Sequence, residues 1–162
     1  MIRFASILLA FTLAGTAQAQ GAHDHHAVPA TAAPEADAAA PAIAVVDKFS
    51  AALAAADFAT VEALLDPDVV ILESGGAERS RAEYLGHHAI ADAQFLKDAH
   101  IQVTHRSARA DGDVAWVATE SEMHATSDGQ PLALLATETM VLRRVGGDWR
   151  IVHIHWSSRK QG

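Results

Sequence analysis

Four long strand-like runs fill the C-terminal half of the chain and constrain its fold more than any other feature. Each run is rich in apolar and β-branched residues, and short segments of Gly, Asp and Ser separate them, which is typical of hairpin turns. The runs are Ile101–Ala110, Val114–Ala125, Leu132–Arg144 and Trp149–Ser157. Consecutive strands joined by tight turns predict an antiparallel meander, and not parallel strands that alternate with helices.

The N-terminal half shows helical spacing instead. Apolar residues recur every three to four positions after Pro41, which predicts a first helix with Pro41 in its first turn and its end near Ala56. Asp57 can cap a short second helix. That helix should stop before Asp66-Pro67, because proline restricts the residue ahead of it.

A short strand and a third helix connect the two halves. The β-branched run Val69–Glu73 predicts the strand, and the segment 74–76 predicts a turn after it. Ser80 and Glu83 have the spacing of a capping box, in which the serine oxygen accepts the glutamate amide proton. This box predicts a helix from about Arg81 to Leu96. Helices followed by an antiparallel meander make the expected fold class α+β.

The composition suits one folded domain with restricted chemistry. Half of the 162 residues are apolar, which is enough for a hydrophobic core. The net charge of −8 disfavours a nucleic-acid partner, because phosphate binding needs a basic surface. The chain has no cysteine, which excludes disulfides, thiolate metal sites and cysteine nucleophiles.

The first residues have the pattern of a secretory signal. Arg3 precedes an apolar run over residues 4–15, and Ala17-Gln18-Ala19 is a cleavage site of the small-x-small type. We therefore expect a signal peptide over residues 1–19 and a periplasmic or secreted mature chain. No later segment approaches the roughly 20 apolar residues of a spanning helix, so no membrane span is expected after cleavage. An uncleaved signal would instead tether the chain to the membrane.

Residues 20–40 are rich in Ala, Pro and His and contain almost no large apolar side chain. Such a segment cannot build a packed core, and we predict a flexible linker. His23, His25 and His26 are weak candidate metal ligands for Cu(II), Ni(II) or Zn(II). The alternative interpretation is a solvated tail, because an unstructured segment has no fixed coordination geometry.

The order of elements, ending in the strand Gly147–Ile151 that runs on to His155 and Ser157, resembles the nuclear transport factor 2-like superfamily. The chain is most similar to its SnoaL-like branch, which also resembles the association domain of calcium/calmodulin-dependent protein kinase II. The likeness covers about Ala42 to Arg159, within an expected domain over residues 41–160. It implies a cone-shaped, curved antiparallel sheet wrapped around three N-terminal helices, a pocket at the open end and frequently a homodimer. It implies no single reaction, because this fold hosts many functions.

Two histidines on the last predicted strand are the candidate catalytic residues. Strict alternation places His153 and His155 on one face together with Trp149, Ile151 and Ser157. If that face lines the pocket, either imidazole could act as a general base or as a hydrogen-bond donor to a ligand. Alternatively, carboxylates on neighbouring strands satisfy the two rings and no chemistry follows.

The same pair has the spacing of two metal ligands on a strand. A zinc site would need a third protein ligand. The candidates on neighbouring strands are His124, Glu120, Glu122 and Glu138. The pair alone does not define a metal site, so we expect none there, and we expect no cofactor.

The third predicted helix carries two further candidates for ligand binding. Tyr84 and His88 are four residues apart, so on one continuous helix they would share the face that packs on the sheet. A phenol and an imidazole there could orient a carbonyl, carboxylate or hydroxyl group. The alternative is that both side chains close the core with wet polar tips, while His87 and Asp92 are solvated.

Glu138 is the candidate ligand-binding carboxylate on the strands. It shares a face with Met140 and Leu142, so its carboxyl group could lie on an apolar surface. Such surroundings raise the pKa of an acid and make it a plausible proton carrier. Glu120 and Glu122 are alternatives, since the sequence does not decide which face of the sheet is concave.

One departure from the superfamily concerns ketosteroid isomerase. That chemistry uses a tyrosine on an early helix and carboxylic acids in an apolar pocket. The predicted first helix, residues 41–56, contains no tyrosine. Steroid isomerisation is therefore not the expected reaction.

The leading functional hypothesis is an exported domain that holds a small polar or anionic organic molecule in a conical pocket. One alternative is a cofactor-free enzyme of the isomerase, cyclase or hydratase type that uses a histidine base. The other alternative is metal binding through the His-rich tail.

Overall fold

The computed structural model describes residues 33–127 and 129–161. Four helices and six strands make up this part of the chain. They are α1 (Ala33–Ala54), α2 (Phe58–Leu64), β1 (Leu65–Glu73), β2 (Gly76–Glu78), α3 (Arg81–Gly86), α4 (His88–Leu96), β3 (His100–Asp111), β4 (Val114–Ser127), β5 (Gln130–Val145) and β6 (Asp148–Lys160). None of the helices in these residues is long and apolar enough to cross a membrane.

Helix α1 begins before the expected domain boundary. It starts at Ala33 and contains Pro41 in its interior, so Pro41 does not lie in the first turn. The prediction of a linker up to residue 40 is therefore wrong for residues 33–40. Alanine has the highest helix propensity, and the buried Ala39 and Ala42 pack into the core on either side of the proline. Residues 20–32 of the predicted linker lie outside the described residues.

The predicted cap of α2 is confirmed. The Asp57 carboxylate accepts a hydrogen bond from the Thr60 amide at 3.1 Å, which satisfies one of the free N–H groups at the helix start. The helix ends at Leu64, and the chain continues directly into β1, where Asp66-Pro67 lies.

The predicted third helix is two helices. The capping box forms in part: the Ser80 hydroxyl accepts the Glu83 amide at 3.1 Å, but the Glu83 carboxylate accepts from the Arg79 amide at 2.7 Å. The helical path breaks at His87, whose backbone lies at φ −143° and ψ −76°. Gly86 precedes the break, and glycine is a poor helix former because it loses the most backbone entropy. Tyr84 and His88 consequently do not share one continuous helix.

The six strands form one curved, unclosed sheet in the order β2-β1-β6-β5-β4-β3. Neighbouring strands are antiparallel, except that β1 and β6 run parallel. Helix α1 packs across one face of the sheet against β3, β4 and β6. The predicted α+β fold class is confirmed, and the parallel pair is the detail that the hairpin pattern could not reveal.

The hydrophobic core lies between the helices and the inner face of the sheet. Residues at alternate positions are buried there on β4, where they are Ala115 and Val117, and on β5, where they are Met140 and Leu142, which follows the two-residue period of a strand. The largest buried side chains are Tyr84, Phe49, Leu65, Ile71, Met140, Leu142, Ile151 and Ile154. Only strand side chains on this inner face can reach a cavity between the sheet and the helices.

A β-bulge in β6 changes which side chains of the last strand point inward. Leu142 pairs with Ile151 but Val141 pairs with His153, so Val152 is an extra residue in the ladder. Before the bulge, Ile151 faces the core. After it, Ile154 and Trp156 pack inward, so the prediction that His153 and His155 share a face with Trp149 and Ile151 is wrong.

Candidate ligand-binding site

A cavity of about 350 Å³ lies between the helices and the inner face of the sheet. Its wall comes from α1, α4, β1 and the four long strands, and most of its lining is apolar. Phe49 of α1 and Trp156 of β6 stack within it, with ring centroids 6.5 Å apart. The volume falls within the range of small-molecule sites, roughly 300–1,000 Å³.

Glu138 lines this cavity and is held by a tryptophan. The indole Nε1 of Trp156 donates a hydrogen bond to Glu138 Oε2 at 2.8 Å. Both residues lie on the inner face, where Glu138 is paired with Trp156 across β5 and β6. The prediction that Glu138 shares an apolar face with Met140 and Leu142 is confirmed, because both neighbours are fully buried.

The surroundings of Glu138 raise the pKa of its carboxyl group above the ordinary value of 4.5. Burial is the largest cause, because it removes water from the charged form. The Trp156 hydrogen bond and the Arg106 charge lower the pKa, while the charge of Asp47 raises it further. A carboxyl group with a raised pKa keeps its proton to a higher pH than an ordinary glutamate does, which is a property of groups that transfer protons.

An ion pair crosses the cavity wall between α1 and β3. Arg106 Nη1 contacts Asp47 Oδ1 at 2.6 Å, and Arg106 Nε donates to the hydroxyl of the buried Thr119 at 3.2 Å. Helical spacing on α1 and alternation on the strands therefore bring together three polar side chains that are distant in sequence. Sequence reasoning missed Asp47 and Arg106.

A second polar group surrounds Tyr84. The ring is fully buried and lies 6.1 Å from the Trp156 ring, and the phenol donates to Asp92 Oδ2 at 2.9 Å. Asp92 and Glu73 line the cavity, whereas Tyr84 supports its wall from behind. The interpretation of Asp92 as a solvated residue is wrong, because the break at His87 turns α4 so that Asp92 meets the buried phenol.

Burial is also the largest cause of the pKa shifts of the three residues in this cluster, Tyr84, Asp92 and Glu73. Burial raises the pKa of Asp92 above 3.8, although the Tyr84 hydrogen bond and the nearby His88 lower it. Burial and the Asp92 charge raise the pKa of Glu73. Burial and the same Asp92 charge raise the pKa of Tyr84, so the phenol stays protonated and acts as a hydrogen-bond donor.

His88 lies apart from the main cavity. Its Nδ1 contacts the carboxylate of the buried Glu78, and its side chain is 51% exposed. Together with Glu73 they line a smaller cavity of about 220 Å³ at the β1–β2 turn. The expectation that Tyr84 and His88 face one pocket together is therefore wrong, because the helix breaks between them.

His153 and His155 lie on the outer face of the sheet. Val152 shifts the alternation, so neither imidazole lines the cavity formed by the described residues. His153 Nδ1 lies 2.9 Å from the backbone oxygen of Val70 on the adjacent strand, and His155 is exposed. The prediction that this pair opens into the pocket is wrong. An extra residue in a strand has no sequence signature that alternation can detect.

The predicted ligands that lie in the described part of the chain do not assemble a metal site. Within residues 33–127 and 129–161, no three His, Cys, Asp or Glu side chains lie close enough to hold an ion. Glu120, Glu122 and His124 alternate with the inward-facing Thr119 and Ser121, while Glu138 faces inward. His23, His25 and His26 lie outside the described residues.

Comparison with known proteins identifies the family. The SnoaL-like domain model matches residues 43–159. A search of curated protein sequences found no match. Among solved structures, the chain is similar to a candidate ketosteroid isomerase from Shewanella frigidimarina NCIMB 400, with 36% identity and a TM-score of 0.68. The alignment covers 70% of this chain and 91% of that one.

Two further structures have the same fold. A candidate calcium/calmodulin dependent protein kinase II association domain from Xanthomonas campestris is 27% identical, with a TM-score of 0.59 and coverage of 73% of this chain and 85% of that one. A candidate dehydratase of the NTF2-like family from Streptomyces avermitilis is 19% identical, with a TM-score of 0.63 and coverage of 74% and 95%. The chain belongs to the SnoaL-like family of the nuclear transport factor 2-like superfamily.

Proposed function

We propose that the protein binds a small, largely apolar organic molecule in the cavity of about 350 Å³. The observation that carries this proposal is the combination of an apolar wall with a few polar groups that converge on it. Stacked Phe49 and Trp156 offer a flat apolar surface, and Arg106 and the Glu138 carboxyl group offer polar contacts to a ligand oxygen. The ligand is expected to be more apolar than the polar or anionic molecule that the sequence suggested.

Filling the cavity should weaken this binding. Ala136 lines the cavity on β5, so Ala136→Phe places a ring inside it. We expect the affinity for the neutral probe N-phenyl-1-naphthylamine, measured by fluorescence titration, to fall by about tenfold or more, since overpacking costs roughly 1–3 kcal/mol.

The matched control is Ala133→Phe on the same strand. Ala133 is the cross-strand partner of His124, and both lie on the outer face of the sheet. Ala133 does not line the cavity, so this variant should bind the probe like the wild type. Equal probe binding by Ala136→Phe and the wild type, or equal losses in both variants, would show that the probe binds elsewhere.

A second candidate function is cofactor-free proton transfer to or from the bound molecule. The observation that favours it is the raised pKa of Glu138 and Asp92, two carboxyl groups that face one apolar cavity. An acid–base catalyst needs a group whose pKa approaches the working pH, and burial shifts both carboxyl pKa values in that direction. The candidate isomerase and candidate dehydratase among the similar structures are consistent with this type of chemistry. The histidine base is replaced in this proposal by Glu138.

We also propose a homodimer through the outer face of the sheet. Val70 and Leu72 on β1 are each 37% exposed there, and Trp116 on β4 is 39% exposed. Apolar side chains on one sheet face favour contact with another protein surface. The similarity to an association domain supports a second copy of this chain as that partner. His153 and His155 would then lie in or near the interface.

Export to the periplasm or beyond is the third element of the proposal. It rests on the basic start, apolar run and Ala17-Gln18-Ala19 site of the first 19 residues. Bacteria that express the full-length chain can be separated into periplasm and cytoplasm, and native mass spectrometry of the protein recovered from each fraction tests export and dimerisation together. We expect a chain that starts at Gln20 and a complex of twice its mass. A chain retained in the cytoplasm with residues 1–19 would contradict export, and a monomer would contradict the dimer.

A further inference from the structure

The charges around the cavity are unequal. Four carboxyl side chains line it, from Asp47, Glu73, Asp92 and Glu138, and Arg106 supplies the single basic side chain among the described lining residues. A ligand carboxylate or sulfonate would therefore depend on Arg106 for a countercharge. The availability of Arg106 decides whether the cavity accepts an anion.

Arg106 is already engaged by groups of the protein. Its Nη1 lies 2.6 Å from Asp47 Oδ1, which is a close charge-assisted hydrogen bond. Its Nε donates to the hydroxyl of Thr119 at 3.2 Å, which orients the guanidinium plane. Asp47 thus neutralises the charge of Arg106, and Thr119 restricts the reorientation of the Arg106 guanidinium.

We propose that the ion pair between Asp47 and Arg106 makes the cavity selective for neutral over anionic ligands, with Asp47 as the specificity-determining residue. The inference rests on ligand binding in this cavity. The Arg106 side chain is 24% exposed and that of Asp47 is 58% exposed, so the pair lies where the cavity meets solvent. An anion that enters must displace the Asp47 carboxylate from Arg106 or remain unpaired among carboxyl groups, and both cost free energy. A neutral carbonyl or hydroxyl oxygen needs one N–H group of the guanidinium and leaves the ion pair intact.

Glu138 lies close enough to Arg106 and Asp47 for the charges of both to change the pKa of its carboxyl group. If Asp47 alone is removed, Arg106 can turn to the Glu138 carboxylate, which would again neutralise it. The informative comparison is therefore between Glu138→Gln, which keeps the Asp47–Arg106 pair, and the double variant Asp47→Asn/Glu138→Gln, which leaves Arg106 without either carboxylate.

Two dyes with the same aromatic skeleton measure the selectivity. N-phenyl-1-naphthylamine is neutral, and 8-anilino-1-naphthalenesulfonate carries one negative charge. In Glu138→Gln we expect the neutral dye to bind more tightly than the sulfonate. In Asp47→Asn/Glu138→Gln we expect the sulfonate affinity to rise by about tenfold, the worth of a hydrogen bond to a charged group, with the neutral dye nearly unchanged. Adding Arg106→Gln to the double variant should remove the gain.

The outcomes separate this inference from the function on which it rests. If the neutral dye does not bind the wild type, the proposed function fails and the inference falls with it. If the neutral dye binds but the sulfonate affinity is equal in Glu138→Gln and the double variant, the inference alone is overturned. A sulfonate gain that persists after Ala136→Phe is added lies outside the cavity and also overturns it.

Discussion

Replacing Glu138 with glutamine is expected to slow deuterium exchange at the α-carbon of 2-tetralone by about 10²- to 10⁴-fold, the usual contribution of a general base. 2-Tetralone is a neutral, apolar ketone with an acidic C–H group. Glu138 faces the cavity, and the Trp156 indole holds one of its oxygens at 2.8 Å. Glutamine keeps the shape of the side chain but cannot accept the proton. Exchange in D₂O, followed by proton NMR, measures the rate.

The matched control is Glu120→Gln, which makes the same change at an exposed residue outside the cavity lining. Exchange by this variant should equal that of the wild type. Exchange by wild type should rise with pH around a midpoint above 4.5, because only the carboxylate accepts a proton and burial raises its pKa. Equal exchange rates in Glu138→Gln and the wild type would eliminate Glu138 as the base.

The same raised pKa has a consequence for stability. The folded chain holds the Glu138 proton more tightly than the unfolded chain, whose carboxyl group has an ordinary pKa near 4.5. The free energy of unfolding should therefore decrease as the pH rises from about 4.5 through the folded-state pKa. Glu138→Gln lacks this titration, so its stability should decrease less over that pH window.

Phe49→Ala is expected to lower the free energy of unfolding by about 3–5 kcal/mol, the range for truncation of a buried phenylalanine. The side chain is 1% exposed, and its ring stacks on Trp156 between α1 and β6. Its removal leaves a void next to the existing cavity that rigid neighbours cannot fill. Urea unfolding followed by circular dichroism measures the change, with an unchanged slope as the sign of two-state behaviour.

Phe95→Ala provides the comparison for this prediction. Phe95 also lines the cavity, but it lies on α4 and is 37% exposed. We expect a loss of about 1 kcal/mol, typical of a partly exposed site. Similar losses in the two variants would contradict the assignment of Phe49 to the core.

The secondary structure was largely accessible to sequence reasoning. The four long strands, the Asp57 cap and the Ser80 cap occur where the patterns predicted them. These features depend on local chemistry: alternation, turn composition and a side-chain oxygen placed near free amide groups. The start of α1 at Ala33 does not follow from the sequence pattern, because Pro41 is typical of a first helical turn and here lies inside the helix.

The candidate site was accessible only in part. Glu138 was identified because its neighbours Met140 and Leu142 are apolar at alternate positions. The position of Asp92 could not be predicted, since nothing in the local sequence shows that the helix breaks at His87 and brings Asp92 to Tyr84. Asp47 and Arg106 are 59 residues apart in sequence, and only packing of α1 on β3 joins them.

The sequence by itself determined the fold class, the family resemblance and the chemistry available to the site, because these follow from composition and from periods of two and 3.6 residues. The tertiary structure alone decided which groups share a cavity. A single extra residue, Val152, turns His153 and His155 to the outer face and brings Trp156 inward to Glu138. A bulge changes the direction of every later side chain, and its position depends on pairing with another strand that the local sequence does not encode.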